Sequence, residues 1–322
     1  MVDYTASPKY ERGYVTAHMK NLELYETICE MIENTELVGF NPIEDFLLQT
    51  YTHQFCLTPE DEVFESCVRN FCTDNALPTA HEKGGVNILF GDRARMVDLE
   101  LLRNGSVIDI EAAKILMERG IDVGIITICD TVFGGGKEYF IDENEYVSIT
   151  KTFASAEIQV ETDAKIKSYF VPHNGCPERM ISSYLYENKE GFKFLVFNFD
   201  ASECSTHRYK QGVFTNYCRE RLLFASYKWL HGSGLAAYCE GHPWLYTLVR
   251  KNEEKCVIGL WNYCADDIEL PVVELGETYQ NARFVGCDGR LEENRVLLTS
   301  GLGAFKYCFL ELTKKGAVKK HP

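Results

Sequence analysis

The sequence predicts a layered α/β domain followed by a small antiparallel β-sandwich, on three observations. VNILF (Val86–Phe90) is a continuous apolar run bounded by Gly84-Gly85 and Gly91-Asp92, as in a strand covered on both faces. A capped helical segment and a second apolar run, VGIIT (Val123–Thr127), follow at the spacing of a strand–helix–strand unit. Beyond Gly234 the chain holds only short strand-like runs separated by turns. The expected division is residues 1–235 and 236–322.

The elements follow in order. In AHMKNLELYETICEMIEN, Met19, Leu22, Tyr25, Ile28 or Cys29, and Ile32 recur at spacings of three and four, which predicts a helix over about residues 17–33. Something must cover that stripe, from this chain or another. Leu37–Phe40 and Phe46–Leu48 are apolar runs too brief to assign alone. Thr58-Pro59-Glu60-Asp61 starts a helix, with Thr as N-cap and Pro at the first helical position. Its apolar face is Val63, Cys67, Val68 and Phe71, and it stops before Asn75. MVDLELLRNG reads as a short helix ended by Gly105, and Asp109 caps a helix over Glu111–Arg119 that Gly120 stops.

From Phe133 to about residue 187 the runs YVSIT, AEIQV, KSYFV and ISSYLYE predict a β-rich insertion. FKFLVFNF (Phe192–Phe199) is the most apolar strand. A helix follows from about Asn216 to Leu230, with Cys218, Leu222, Ala225 and Trp229 on one side and His231-Gly232 at its end. Six strands complete the chain: WLYTLVR, KCVIGLWN, DIELPVV, ARFV, RVLLT and AFKYCFLEL. Asn252-Glu253-Glu254 and Asp288-Gly289-Arg290 are the expected hairpin turns.

The chain has 322 residues, 45% of them hydrophobic and 25% charged, in the range of a soluble globular protein. Its net charge of −15 argues against a nucleic-acid partner, which would require a basic face. No apolar run approaches a membrane span, and no basic, apolar leader opens the chain. The thirteen cysteines are scattered among hydrophobics, as buried reduced thiols are. Together these predict a cytoplasmic protein.

Four motifs invite a chemical reading, and each has a plainer one. Gly134-Gly135-Gly136 follows a strand-like run but lacks a phosphate-loop Lys-Ser/Thr, so it reads as a turn. His173 and Cys176 share a C/H-x-x-H/C spacing with Cys239 and His242, the minimum for a zinc site, although turns explain both segments. Cys129 ends an apolar strand but lacks the glycines of a nucleophile elbow. Asp130 beside it, with Asp92 after VNILF, is the candidate polar pair at the strand ends, where α/β sites gather. Trp229, Trp244 and Trp261 can stack on sugars but suit core positions. No cofactor is expected.

Two stretches resemble a known architecture. One is LRNGSVIDIEAAKILMERGIDVG. The other runs from GFKFLVFNF through YCRERLLFASYKWLHGSGLAAY to GHPWLYTLVRK and VIGLWNYCADDIELPV. Their order is similar to the region that follows the catalytic (β/α)8 barrel in glycoside hydrolases such as the family 42 β-galactosidases. The resemblance implies a flavodoxin-like, class I glutamine-amidotransferase-like domain that serves in oligomerisation, then a β-sandwich. It implies no catalytic residue here, because the barrel's acid and nucleophile have no counterpart. The function it implies is that of an accessory region, associating as a dimer or trimer or with a catalytic barrel. A free-standing hydrolase with a pocket near Asp130, or a carbohydrate-binding module, is the alternative.

Overall fold

The computed structural model describes residues 19–43, 67–80, 84–173, 179–201, 216–242 and 245–314. In chain order its elements are α1 (Leu22–Ile32), β1 (Glu36–Leu37), β2 (Asn41–Pro42), α2 (Cys67–Asp74), β3 (Asn87–Leu89), the 3-10 turns Gly91–Arg95 and Leu99–Asn104, β4 (Ser106–Asp109) and α3 (Ile110–Glu118). Then come β5 (Ile125–Phe133), β6 (Gly136–Phe140), β7 (Glu145–Ile149), β8 (Phe153–Val160), β9 (Lys165–Pro172), β10 (Met180–Glu187), β11 (Lys193–Phe197) and α4 (Tyr217–His231). The last strands are β12 (Ala237–Cys239), β13 (Leu245–Lys251), β14 (Lys255–Asn262), β15 (Val272–Leu275), β16 (Asn281–Val285), β17 (Gly289–Glu292), β18 (Arg295–Leu298) and β19 (Tyr307–Thr313).

Alternate residues of a strand point to opposite faces, so a strand apolar throughout needs a layer on each side. The eight-stranded sheet, ordered β2-β3-β4-β11-β10-β9-β6-β7, meets that need. Its first four strands are parallel and the remainder antiparallel. Val107, Leu195 and Phe197 bury one face with Phe71 of α2 and Leu222 and Leu223 of α4. Ile108, Phe194 and Val196 bury the other with Ala112 and Leu116 of α3 and Ile125 and Ala156 of the β5–β8 ribbon. The protein is mixed α/β and mostly sheet.

Caps fix the helices. Asp109 accepts the Ala112 amide (2.8 Å) at the start of α3. Asn216 accepts the Arg219 amide (2.7 Å) at the start of α4, which closes on Gly232 at φ +88°.

Several expectations change. VGIIT is no strand of the main sheet: β5 pairs only with β8, and its Ile126 and Val132 stand exposed. The parallel strand is instead β4, four residues between Gly105 and the cap of α3. The stripe expected on α4 is displaced, since Ala225 is exposed and Leu223, Tyr227 and Leu230 are buried. Strands β6, β7, β9 and β10 extend the main sheet. The helix start at Thr58 and the run Phe46–Leu48 lie outside the described residues.

The final strands pack as two sheets, β1-β13-β14-β19-β16 and β12-β15-β18-β17. Leu245, Val249, Ile258, Leu260, Leu310 and Leu312 meet Val273, Val296 and Leu298 between them. The Asn252 turn forms as expected, its side chain accepting the amides of Glu254 and Lys255 at 2.9 and 2.8 Å. Asp288-Gly289-Arg290 makes no hairpin: it lies where the chain passes from β16 in one sheet to β17 in the other. The stripe on α1 finds its cover here. Met31, with Ile28 and Ile32, packs on Val257, Trp261 and Phe309 on the outside of the first sheet. Met19, Leu22 and Tyr25 remain exposed.

Candidate functional site

In open α/β sheets, binding groups gather beyond the carboxyl ends of parallel strands. Here β3 runs into Gly91, β4 ends on Asp109, and β11 leads to Asp200 and Ala201. One buried carboxylate joins them. Asp109 accepts the amides of Gly91 (2.9 Å), Ala112 (2.8 Å) and Ala201 (3.0 Å). Burial pushes its pKa up to about 7, against those three hydrogen bonds. Beside it, Nη1 of Arg93 lies 3.7 Å from Sγ of Cys67, whose thiol burial raises to about 11. A thiol so protonated is a poor nucleophile. Asp109, enclosed and occupied by amides, ties three chain ends together instead of facing a substrate.

The two acids expected at this edge lie apart from that tie. Asp92 is exposed and pairs with Arg95 at 3.0 Å. Asp130 projects from β5, exposed, and pairs with Lys114 at 2.6 Å, which also reaches Glu111 at 2.5 Å. Burial lowers the Lys114 pKa, but the two carboxylates outweigh it and hold the ammonium above its ordinary value. Gly134–Gly136 turns the chain from β5 into β6. A Cβ on Gly136 would meet the Val171 carbonyl oxygen at 2.2 Å, so the residue serves the close approach of β9.

His173 is exposed at the end of β9, and its amide bonds the Gly135 carbonyl at 3.4 Å. Cys176 lies outside the described residues. Cys239 is buried on β12, its thiol pushed up to about 12 by burial. Burial holds His242 below its ordinary value. Among the described residues no group of three or more His, Cys, Asp or Glu side chains is placed to hold a metal ion.

A second polar centre had no motif to announce it. Glu138 on β6 and Arg219 on α4 form an ion pair with both side chains wholly buried. Glu138 Oε1 also accepts the hydroxyls of Ser168 (2.8 Å) and Ser182 (2.6 Å). The guanidinium carbon lies 5.4 and 5.0 Å from the ring centroids of Phe197 and Phe199. The available signal was the period-two pattern of β6, in which Glu138 shares the buried face of Phe140.

No family model and no curated protein matches the chain. Among solved structures, the α-L-fucosidase isoenzyme 2 from Paenibacillus thiaminolyticus superposes with a TM-score of 0.57 at 10% identity, over 92% of this chain and 51% of its own. A catalytic mutant of Gan42B, a GH42 β-galactosidase from G. stearothermophilus, gives 0.44 at 9% identity over 85% and 40%. The β-galactosidase from Bacillus circulans sp. alkalophilus gives 0.40 at 13% over 85% and 41%. The chain therefore spans about half the length of the fucosidase, and what it shares with that enzyme is its fold.

Proposed function

We propose that this chain is an accessory and oligomerisation region of a glycoside hydrolase, without turnover of its own. The observation that carries the reading is the extent of the fucosidase match: nearly all of this chain against half of that one. On this reading residues 1–235 form the flavodoxin-like, amidotransferase-like unit, apart from α1 and β1, which join the sandwich of residues 236–322, and a (β/α)8 barrel outside this sequence supplies the catalytic acids. The ties of Asp109, Asp92 and Asp130 to structural partners support it, since none is left as a free acid–base pair. The purified chain is expected to give no turnover of aryl glycosides. Turnover that Asp130→Asn abolishes while thermal stability holds would establish instead a pocket at the strand ends.

One observation favours a carbohydrate contact as a second reading. Tyr246 lies 5.6 Å from Trp261 and 6.3 Å from Tyr263, ring to ring, on the outer face of the first sandwich sheet. Tyr263 and Tyr307 are exposed there. Tyr263→Ala should then weaken binding to an oligosaccharide array without lowering the melting temperature; binding unchanged in that variant would remove the reading.

A further inference from the structure

The cysteines at the described positions are free thiols, and two of them meet in the sandwich. Cys308 on β19 is fully buried between the sheets. Cys287 sits in the connection from β16 to β17, half-buried, and packs against the same interior. The antiparallel register sets Val285 opposite Phe309, which brings Gly286 opposite Cys308. Gly286 has φ +79°, and a Cβ there would stand 3.2 Å from the Tyr307 carbonyl oxygen and 3.9 Å from Cβ of Cys308. The bare backbone thus presses against β19. The next residue, Cys287, packs into the same interior cluster as Cys308.

We propose that Cys287 and Cys308 are a thiol–disulfide exchange site whose oxidant is a low-molecular-weight disulfide of the glutathione class. The roles differ. Cys287 is the accessible member and Cys308 the buried one; the neighbouring Cys308 thiol holds that of Cys287 below its ordinary value, while Cys287 and burial hold Cys308 above it. The Cys287 thiolate attacks one sulfur of the small disulfide, breaking its S–S bond and releasing one thiol. Cys308, losing its proton, then attacks the Cys287 sulfur, and the second small thiol departs. Two protein thiols are oxidised to one disulfide, the small disulfide is reduced to two thiols, and the two protons leave on those thiols. The product staples the passage between the two sheets to β19, the neighbour of edge strand β16.

The test is to incubate the full chain with oxidised glutathione, alkylate the remaining thiols and map the peptides by mass spectrometry. The expected result is a peptide carrying Cys287 joined to one carrying Cys308, lighter by two hydrogens and separated by dithiothreitol. Oxidation should also raise the melting temperature of the parent chain and leave that of Cys287→Ser unmoved; this variant spares the buried partner. Recovery of Cys287 only as free thiol, as a glutathione adduct or joined to another cysteine would overturn the proposal. An equal rise in melting temperature in Cys287→Ser would do the same.

Discussion

The two halves of the molecule fill their interiors with different chemistry. Asp74, Asp109, Glu138, Arg219 and Glu220 are the buried charged side chains among the described residues, and all precede residue 236. The interior between the sandwich sheets is mostly aliphatic, with thiols, and its buried polar side chains among the described residues, Thr247, Asn262 and Tyr279, are neutral. A sheet covered on both faces has inward positions far from solvent, and a charge there must find its partner inside. A thin sandwich built from two half-exposed sheets can turn every charge outward. In the first half a buried ion pair thus adds a link between β6 and α4 to the apolar packing, and in the second apolar packing stands without one.

The largest effect expected from this contrast is at the buried pair. Arg219→Met leaves Glu138 as an uncompensated buried charge and should cost about 3–5 kcal/mol in urea unfolding. Adding Glu138→Gln removes that charge and should recover part of the loss. A double variant no more stable than Arg219→Met alone would break the contrast. In the sandwich, Leu310→Ala opens a cavity and should cost roughly 2–5 kcal/mol, with no dependence on salt or pH.

The pH response sharpens the comparison further. Asp109 titrates near 7 when folded and near 3.8 when free, so between those values the folded chain holds a proton that the unfolded chain has lost. Stability should therefore fall as pH rises through that window and level off above it. Glu220, raised to about 7 by burial, acts in the same direction from about 4.5 upward. Asp109→Asn should flatten the profile by about 3 kcal/mol between pH 4.5 and 7.5, read from urea midpoints. An unchanged slope would mean that the three amides, not burial, govern Asp109.

The smallest effect lies on the surface of the sandwich. Phe305 is 68% exposed yet holds φ +56°, a conformation costly for any side chain. Phe305→Gly should stabilise by about 0.5–1 kcal/mol. A loss of stability instead would show that the ring packs on its neighbours.

Much of this architecture was legible where local signals agreed. Asp109 read as a cap because a short polar acceptor precedes an apolar helical period, the helix from about Asn216 read from its apolar side, and Lys255–Asn262 read as a strand along its whole length. The misreadings have physical causes. VGIIT carries the apolar run of a central strand, yet Ile126 and Val132 face outward on a ribbon that shields the sheet. SVID is too short to signal a strand, and only its partners β3 and β11 make it one. The partner of α1 could not be found locally, because Val257 and Phe309 lie more than two hundred residues away. At the candidate site, the sequence offered exposed acids near turns, Asp92 and Asp130. The buried acids Asp109 and Glu138 owe their environment to long-range packing, of which the sequence carried only the cap position of Asp109 and the period-two placement of Glu138 on β6.

The proposed role requires a chain that associates and positions a catalytic domain without turning over substrate itself. Light scattering on the purified chain across a tenfold range of concentration, with aryl-glycoside assay of the same fractions, tests it directly. A constant dimer or trimer mass without turnover is the expected result; a monomer that hydrolyses a glycoside would contradict it.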